Sequence, residues 1–235
     1  MRIAAAQLTC APADVPANAR WLAALAARAR AEGAALVVFP ELALTGYETE
    51  ALRLREELWV RPDDPRLDPV RASGVATVVN CATVTEDGRP AIGTLVFGRD
   101  GELITTYRKQ HLFAHESDVF VAGTEDGAFT LDGVRFSLAT CFDNHFPALV
   151  ARGAAAGCRV HLASALYGTG DGIGELTTLY PRLAEEHGLH VLVANHVGPA
   201  GPWTGCGRSA VYAPDGTLLA EADAVSPMIV TADIG

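Results

Sequence analysis

Three residues of reactive type stand at the same kind of address in this chain. Glu41 directly follows the apolar run ALVVFP, Lys109 follows ELITTYR, and Cys141 follows VRFSLAT. A thiol, a carboxylate and an ammonium together supply a nucleophile, a proton acceptor and a positive charge for a developing oxyanion. A structural cysteine belongs inside a strand among the side chains it packs against, whereas Cys141 sits at a rim before the turn-like pair Asp143-Asn144. Ligands of α/β folds gather just beyond strand ends, so three reactive groups at three such ends point to one site. Singly, each has a plainer explanation: a solvated loop glutamate, a surface lysine beside an arginine, a packing cysteine. The coincidence of all three carries the argument.

The elements that must position them follow from periodicity. RIAAAQL is a strand candidate, and the stretch from Asp14 to Glu32 places Trp21, Leu22, Leu25 and Ala29 on one helical face, ended by Gly33. ALVVFP then reads as a strand buried on both faces. A helix is expected from Thr49 to Trp59, followed by the loop RPDDPRLDP. GVATVVNCATV, AIGTLVFG and ELITTYR are strands, the last two joined at Arg99-Asp100-Gly101, and GAFTLDGVRFSLAT is a hairpin about Asp132-Gly133. Helices from about Phe146 to Ala156 and Gly174 to His187 alternate with RVHLAS and HVLVAN; GRSAVYAPDGTLLAEA and SPMIVTADI close the chain as strands. Helices interleaved with mixed strands predict an α/β sandwich.

FPELALTGY, YRKQHLF and CFDNHFPAL, in that order, resemble the three signature segments of the nitrilase superfamily, the carbon–nitrogen hydrolases. The resemblance extends over nearly the whole chain, through RIAAAQL, ESDVFVAG, VLVANHVG and GRSAVYAPDGTLL. It implies a four-layer αββα sandwich with mixed sheets and a catalytic triad, here Glu41, Lys109 and Cys141. Glu116 matches a second glutamate that amidase branches keep near the nucleophile. The resemblance further implies a homodimer or larger even oligomer and requires neither metal nor organic cofactor.

Amide and nitrile carbons are poor electrophiles, and a free thiol of pKa ~8.5 is only slightly ionised at neutral pH. Glu41 is therefore expected to take the Cys141 proton, with Lys109 and the Phe142 backbone N–H facing the oxyanion. Tyr47, Glu48, the loops from His111 to Phe120 and Leu166 to Gly174, and the segment from His196 to Arg208 are expected to wall the pocket. In it Tyr167 and Trp203 would offer stacking surface, Arg208 would receive a carboxylate, and Glu116 would orient the substrate NH₂. Asp143 resembles the amidase pattern, while His145, Ala148, Leu183 and His187 depart from it. The expected reaction is hydrolysis of a small amide, an ω-amide or an N-carbamoyl compound, through a Cys141 thioester with release of ammonia. Nitrile hydrolysis and a catalytically silent binding protein are the alternatives, and His111, His115, His145, His187 and His196 raise a third, a Cys-His thiol hydrolase or a metal site.

Composition bounds these readings. With 235 residues, 49% hydrophobic and 20% charged, the chain reads as one domain spanning 1–235. A formal net charge of −10 argues against nucleic-acid or anionic-membrane partners, leaving a small-molecule substrate. The opening MRIAAAQLTCAPADVP reads as neither signal peptide nor membrane span, so a cytoplasmic location is expected. Five scattered cysteines, Cys10, Cys81, Cys141, Cys158 and Cys206, give no disulfide or metal-ligand spacing.

Overall fold

The computed structural model describes residues 1–235. In chain order the elements are β1 (Arg2–Gln7), α1 (Val15–Ala31), β2 (Leu36–Val38), α2 (Thr49–Leu54), α3 (Asp68–Arg71), β3 (Ala76–Val84), β4 (Pro90–Phe97) and β5 (Leu103–Arg108). Then come β6 (Gly127–Leu131), β7 (Val134–Thr140), α4 (Pro147–Ala155), β8 (Val160–Ala165), α5 (Asp171–His187), β9 (His190–Asn195) and β10 (Val197–Ala200). β11 (Trp203–Cys206), β12 (Ala210–Tyr212), β13 (Leu218–Glu221) and β14 (Met228–Asp233) complete it.

Two six-stranded sheets form, in the orders β14-β1-β2-β3-β4-β5 and β13-β12-β9-β8-β7-β6. Each has a parallel centre, β1-β2-β3 and β7-β8-β9, with antiparallel flanks. Three hydrophobic clusters fill the three spaces between four layers. The outer face of the first sheet (Ala4, Ala6, Val37) packs on α1 through Leu22, Leu25 and Ala29. Its inner face (Ile3, Leu36, Val38) meets Phe136, Leu138, Val160 and Leu162 of the second sheet. That sheet's outer face (Ala163, Val191, Val193) packs on Leu176, Leu179 and Leu183 of α5. Strands buried on both faces have no polar face to alternate with, so they read as continuous apolar runs. This is the expected four-layer αββα sandwich.

α1 begins at Asp14, whose side chain accepts from Ala17 N at 3.0 Å, and carries Arg28 and Arg30 in its last turn. Its buried face includes Leu22, Leu25 and Ala29, but Trp21 is exposed, one residue off the stripe. α2 stops at Leu54, giving way to a 3₁₀ turn over Glu56–Leu58. RPDDPRLDP is not all loop: Pro65–Leu67 forms a 3₁₀ turn and α3 follows, their prolines in first-turn positions. The β10–β11 hairpin was hidden by Gly198, Pro199, Gly201 and Pro202. α5 starts three residues before the expected Gly174, because Gly172 and Gly174 dilute the helical signal of its first turn. No helix is long and apolar enough to cross a membrane.

Candidate functional site

Glu41, Lys109 and Cys141 follow β2, β5 and β7, and the sandwich brings these strand ends together. Cys141 begins a 3₁₀ turn over Cys141–His145 directly after β7, with φ +44°. Left-handed backbone is costly for a residue with a Cβ, by about 1–3 kcal/mol. Side chains behind the turn hold it there. Asn144 donates from Nδ2 to Cys141 O (2.9 Å) and accepts at Oδ1 from His161 Nε2 (2.8 Å), whose Nδ1 lies 2.9 Å from Ser137 Oγ. Burial pushes His161 down to about 4, so the ring is a neutral donor at Nε2 and an acceptor at Nδ1.

Asp143 joins this turn to the segment carrying Lys109. Its Oδ2 accepts from Thr140 N (3.0 Å) and Tyr107 OH (2.6 Å), and its Oδ1 from Gln110 N (3.1 Å) and His111 N (2.8 Å). Asn80, in the middle of β3, does the same for Glu41. Its Oδ1 accepts from Leu42 N (2.8 Å), while Nδ2 reaches Thr94 and Thr140 hydroxyls at 3.0 Å each. His196 Nε2 donates to Glu41 O.

At the centre, Lys109 Nζ lies 2.7 Å from Glu41 Oε1 and 2.9 and 2.8 Å from Glu116 Oε1 and Oε2. The three side chains are at most 2% exposed. Burial works against the Lys109 ammonium, but Glu41, Cys141 and Glu116 outweigh it and hold the group above its ordinary pKa. Burial raises Glu41 to about 7 against the opposing charge of Lys109. Glu41 Oε2 has no hydrogen-bond partner in the protein. Burial, aided by the Glu41 carboxylate, keeps Cys141 well above the usual thiol range. At rest the site therefore pairs a protonated thiol with a carboxylate poised near neutrality.

A cavity of about 330 Å³ opens onto this cluster, lined by Glu41, Cys141 and the ring of Tyr47, with Leu166–Thr169 on one side. Such a volume suits a small ligand. The sequence matches the carbon-nitrogen hydrolase family over residues 2–235. The chain belongs to that family. Among relatives, "Hydrolase in pqqF 5'region" of Pseudomonas protegens is 30% identical over 98% of this chain and 81% of its own length. The 2-oxoglutaramate amidase of Bacillus subtilis is 29% identical over 79% of this chain and 73% of its own. A variant of the Nesterenkonia AN1 amidase from the nitrilase superfamily superimposes with a TM-score of 0.90 at 30% identity, covering 100% of this chain and 90% of that one.

The remaining expected residues of this carbon–nitrogen hydrolase fall into two groups. Phe142, Tyr47, His145, Tyr167 and Trp203 line the cavity. Glu48 and Arg208 do not; Arg208, at φ +59°, lies 3.1 Å from Glu221, so it is spent on an ion pair away from the cavity and cannot receive a substrate carboxylate there. Lys109 is absent from the wall, and so is Glu116. Its acceptor positions are taken by Lys109, by the Tyr47 hydroxyl and by Phe113 N at 2.7 Å, so it holds Lys109 and Tyr47 and has nothing left for a substrate NH₂.

No histidine nitrogen bonds the Cys141 sulfur, whose partner is Leu166 O at 3.6 Å. His145 instead lies 3.0 Å from Glu175 Oε1 and 3.3 Å from Tyr167 OH, which removes the basis for a Cys-His pair. Asp171 and Gly172 lie on the wall within the expected span from Leu166 to Gly174, and Glu175, one residue beyond that span, joins them because α5 begins at Asp171. Asn80 and His161 were not singled out as positioning groups. The one signal for each is a polar residue inside an apolar run, Asn80 in TVVNCATV and His161 in VHLAS.

Proposed function

We propose that this carbon–nitrogen hydrolase cleaves small primary amides through a thioester on Cys141 and releases ammonia. The observation that carries the reading is the buried Glu41-Lys109 pair beside Cys141, with Glu41 lining the cavity, raised to about 7 and unpartnered at Oε2. As the Cys141 sulfur attacks the carbonyl carbon, its proton passes to Glu41, whose pKa near operating pH suits both acceptance and return. The carbonyl oxygen becomes an oxyanion against the Lys109 charge and the Phe142 N–H, an amide at the start of the 3₁₀ turn. Glu41 then protonates the nitrogen, the C–N bond breaks and ammonia leaves a thioester. Water, deprotonated by Glu41, attacks that carbon; the C–S bond breaks and the thiol regains its proton, giving a carboxylic acid. The names of the Bacillus and Nesterenkonia relatives support an amide over a nitrile. We further propose that the chain works as a homodimer or larger even oligomer.

Steady-state rates on paired amides and nitriles of equal chain length test this, with intact-protein mass spectrometry of quenched turnover. The expected outcome is faster release of ammonia from the amides, a mass increase equal to the acyl group, and loss of both in Cys141→Ala. Faster nitrile turnover, or full activity in Cys141→Ala, would refute it.

A further inference from the structure

The lining of the cavity around Cys141 carries carboxylates and aromatic rings but no lysine or arginine. Asp171 and Glu175, four residues apart on the first turns of α5, stand on one helical face, and both line the cavity. Both side chains are exposed to solvent, Glu175 by 47%, and Glu175 Oε1 lies 3.0 Å from His145 Nε2. Tyr47, Phe113, Phe142, Tyr167 and Trp203 supply the rings. Phe113 meets Phe142 edge-on at 5.3 Å, and His145 continues the wall 5.2 Å from Phe142. Glu41, its side chain 1% exposed and its Oε2 without a protein partner, lines the same cavity.

We infer that the substrate is an amide whose far end carries a cation, an ammonium or comparable group, held by Glu175 and Asp171 within the aromatic wall. Ring faces attract a cation through their quadrupole, and two carboxylates beside them add direct charge attraction. A carboxylate at that end meets the opposite field. The start of α5 would by its dipole attract an anion, but Asp171 at its first position already occupies that field. The one candidate carboxylate receiver, Arg208, is held by Glu221 off the wall. The 2-oxoglutaramate named for the Bacillus relative is thus the wrong charge type for this cavity. This inference rests on the amidase reading for its chemistry, but the charge preference belongs to the cavity alone.

The test compares kcat/KM for three amides of matched length: 4-aminobutanamide (cationic), pentanamide (neutral) and succinamate (anionic). The expected order is cation over neutral by about tenfold and cation over anion by about 100-fold at low salt, narrowing as salt is raised. Glu175→Gln should lower the cation-to-neutral ratio at least about fivefold, through KM, whichever way the common rate moves. Glu175→Lys should reverse the order of cation and anion. Dissociation constants of the same three compounds, measured by calorimetry on Cys141→Ala, should rank alike. Succinamate equal to or better than 4-aminobutanamide, or ratios unmoved by both Glu175 variants, would overturn the inference and leave the amidase reading standing. Selective binding of 4-aminobutanamide without hydrolysis of any amide would keep the charge preference and remove the amidase reading.

Discussion

Glu41 illustrates how one side chain inherits its chemistry from its surroundings. Burial raises it, the Lys109 charge restrains the shift and the Glu116 carboxylate adds to it, with a net result of about 7. In the proposed mechanism the ionised form accepts the thiol proton, so kcat/KM should fall below about pH 7 with the slope of one proton. Because Lys109 is held above its ordinary value, no loss of its charge should limit activity up to about pH 10. Glu116→Gln removes a carboxylate that disfavours the ionised Glu41, so the acidic limb should move to lower pH. The same change loosens Lys109 and Tyr47 and should reduce kcat about 10²-fold. A pH–rate profile of both proteins measures the two effects together. An acidic limb that stays in place or rises would contradict the assignment of Glu41 as the base, and an unchanged kcat would remove the positioning role of Glu116.

The elements contribute strand ends, and polar ties between them set the reactive geometry. Asp143 is the tie with the most partners. Four N–H and O–H donors from Thr140, Tyr107, Gln110 and His111 converge on it, and it is fully buried. Asp143→Ala leaves these donors without an acceptor and should destabilise the protein by about 3 kcal/mol or more. Urea unfolding of the variant measures this, and a loss below about 1 kcal/mol would show that water replaces the carboxylate. Such ties are legible in sequence only as polar residues in unusual places. Asp143 was noticed for its resemblance to the amidase pattern, but nothing in the chain states that it spans from β7 to the segment after β5, because donors so far apart are gathered only when the sheets stack.

At the scale of the whole molecule, the two sheets bury each other's inner faces and one helical layer covers each outer face. α4 keeps Ala148, Ala151 and Ala155 exposed on one side, small residues that permit close approach of another helix. Sedimentation velocity at micromolar concentration should show a dimer or a larger even oligomer, and Ala151→Arg should shift it toward monomer. A monomer at all concentrations in the parent would refute the assembly proposed above.

Apolar runs, turn pairs and the three signature segments determined the fold and the identities of Glu41, Lys109 and Cys141, because buried strands and reactive residues at their ends leave local marks. Charge type at the far end of the cavity left none. Arg208 was a plausible anion receiver by position in the chain, yet pairing with Glu221 across β12 and β13 withdraws it. Glu116 is expected on the wall, yet Lys109, the Tyr47 hydroxyl and Phe113 N take up its oxygens away from the cavity lining. Asp171 falls within the expected wall by its place in the chain, and Glu175 joins it there because α5, packed on the second sheet, begins at Asp171 and sets the two on one face. Local sequence carries the propensities of single elements, but which side chains meet across 30 to 130 residues is fixed by layer packing and by the buried hydrogen bonds that packing makes obligatory.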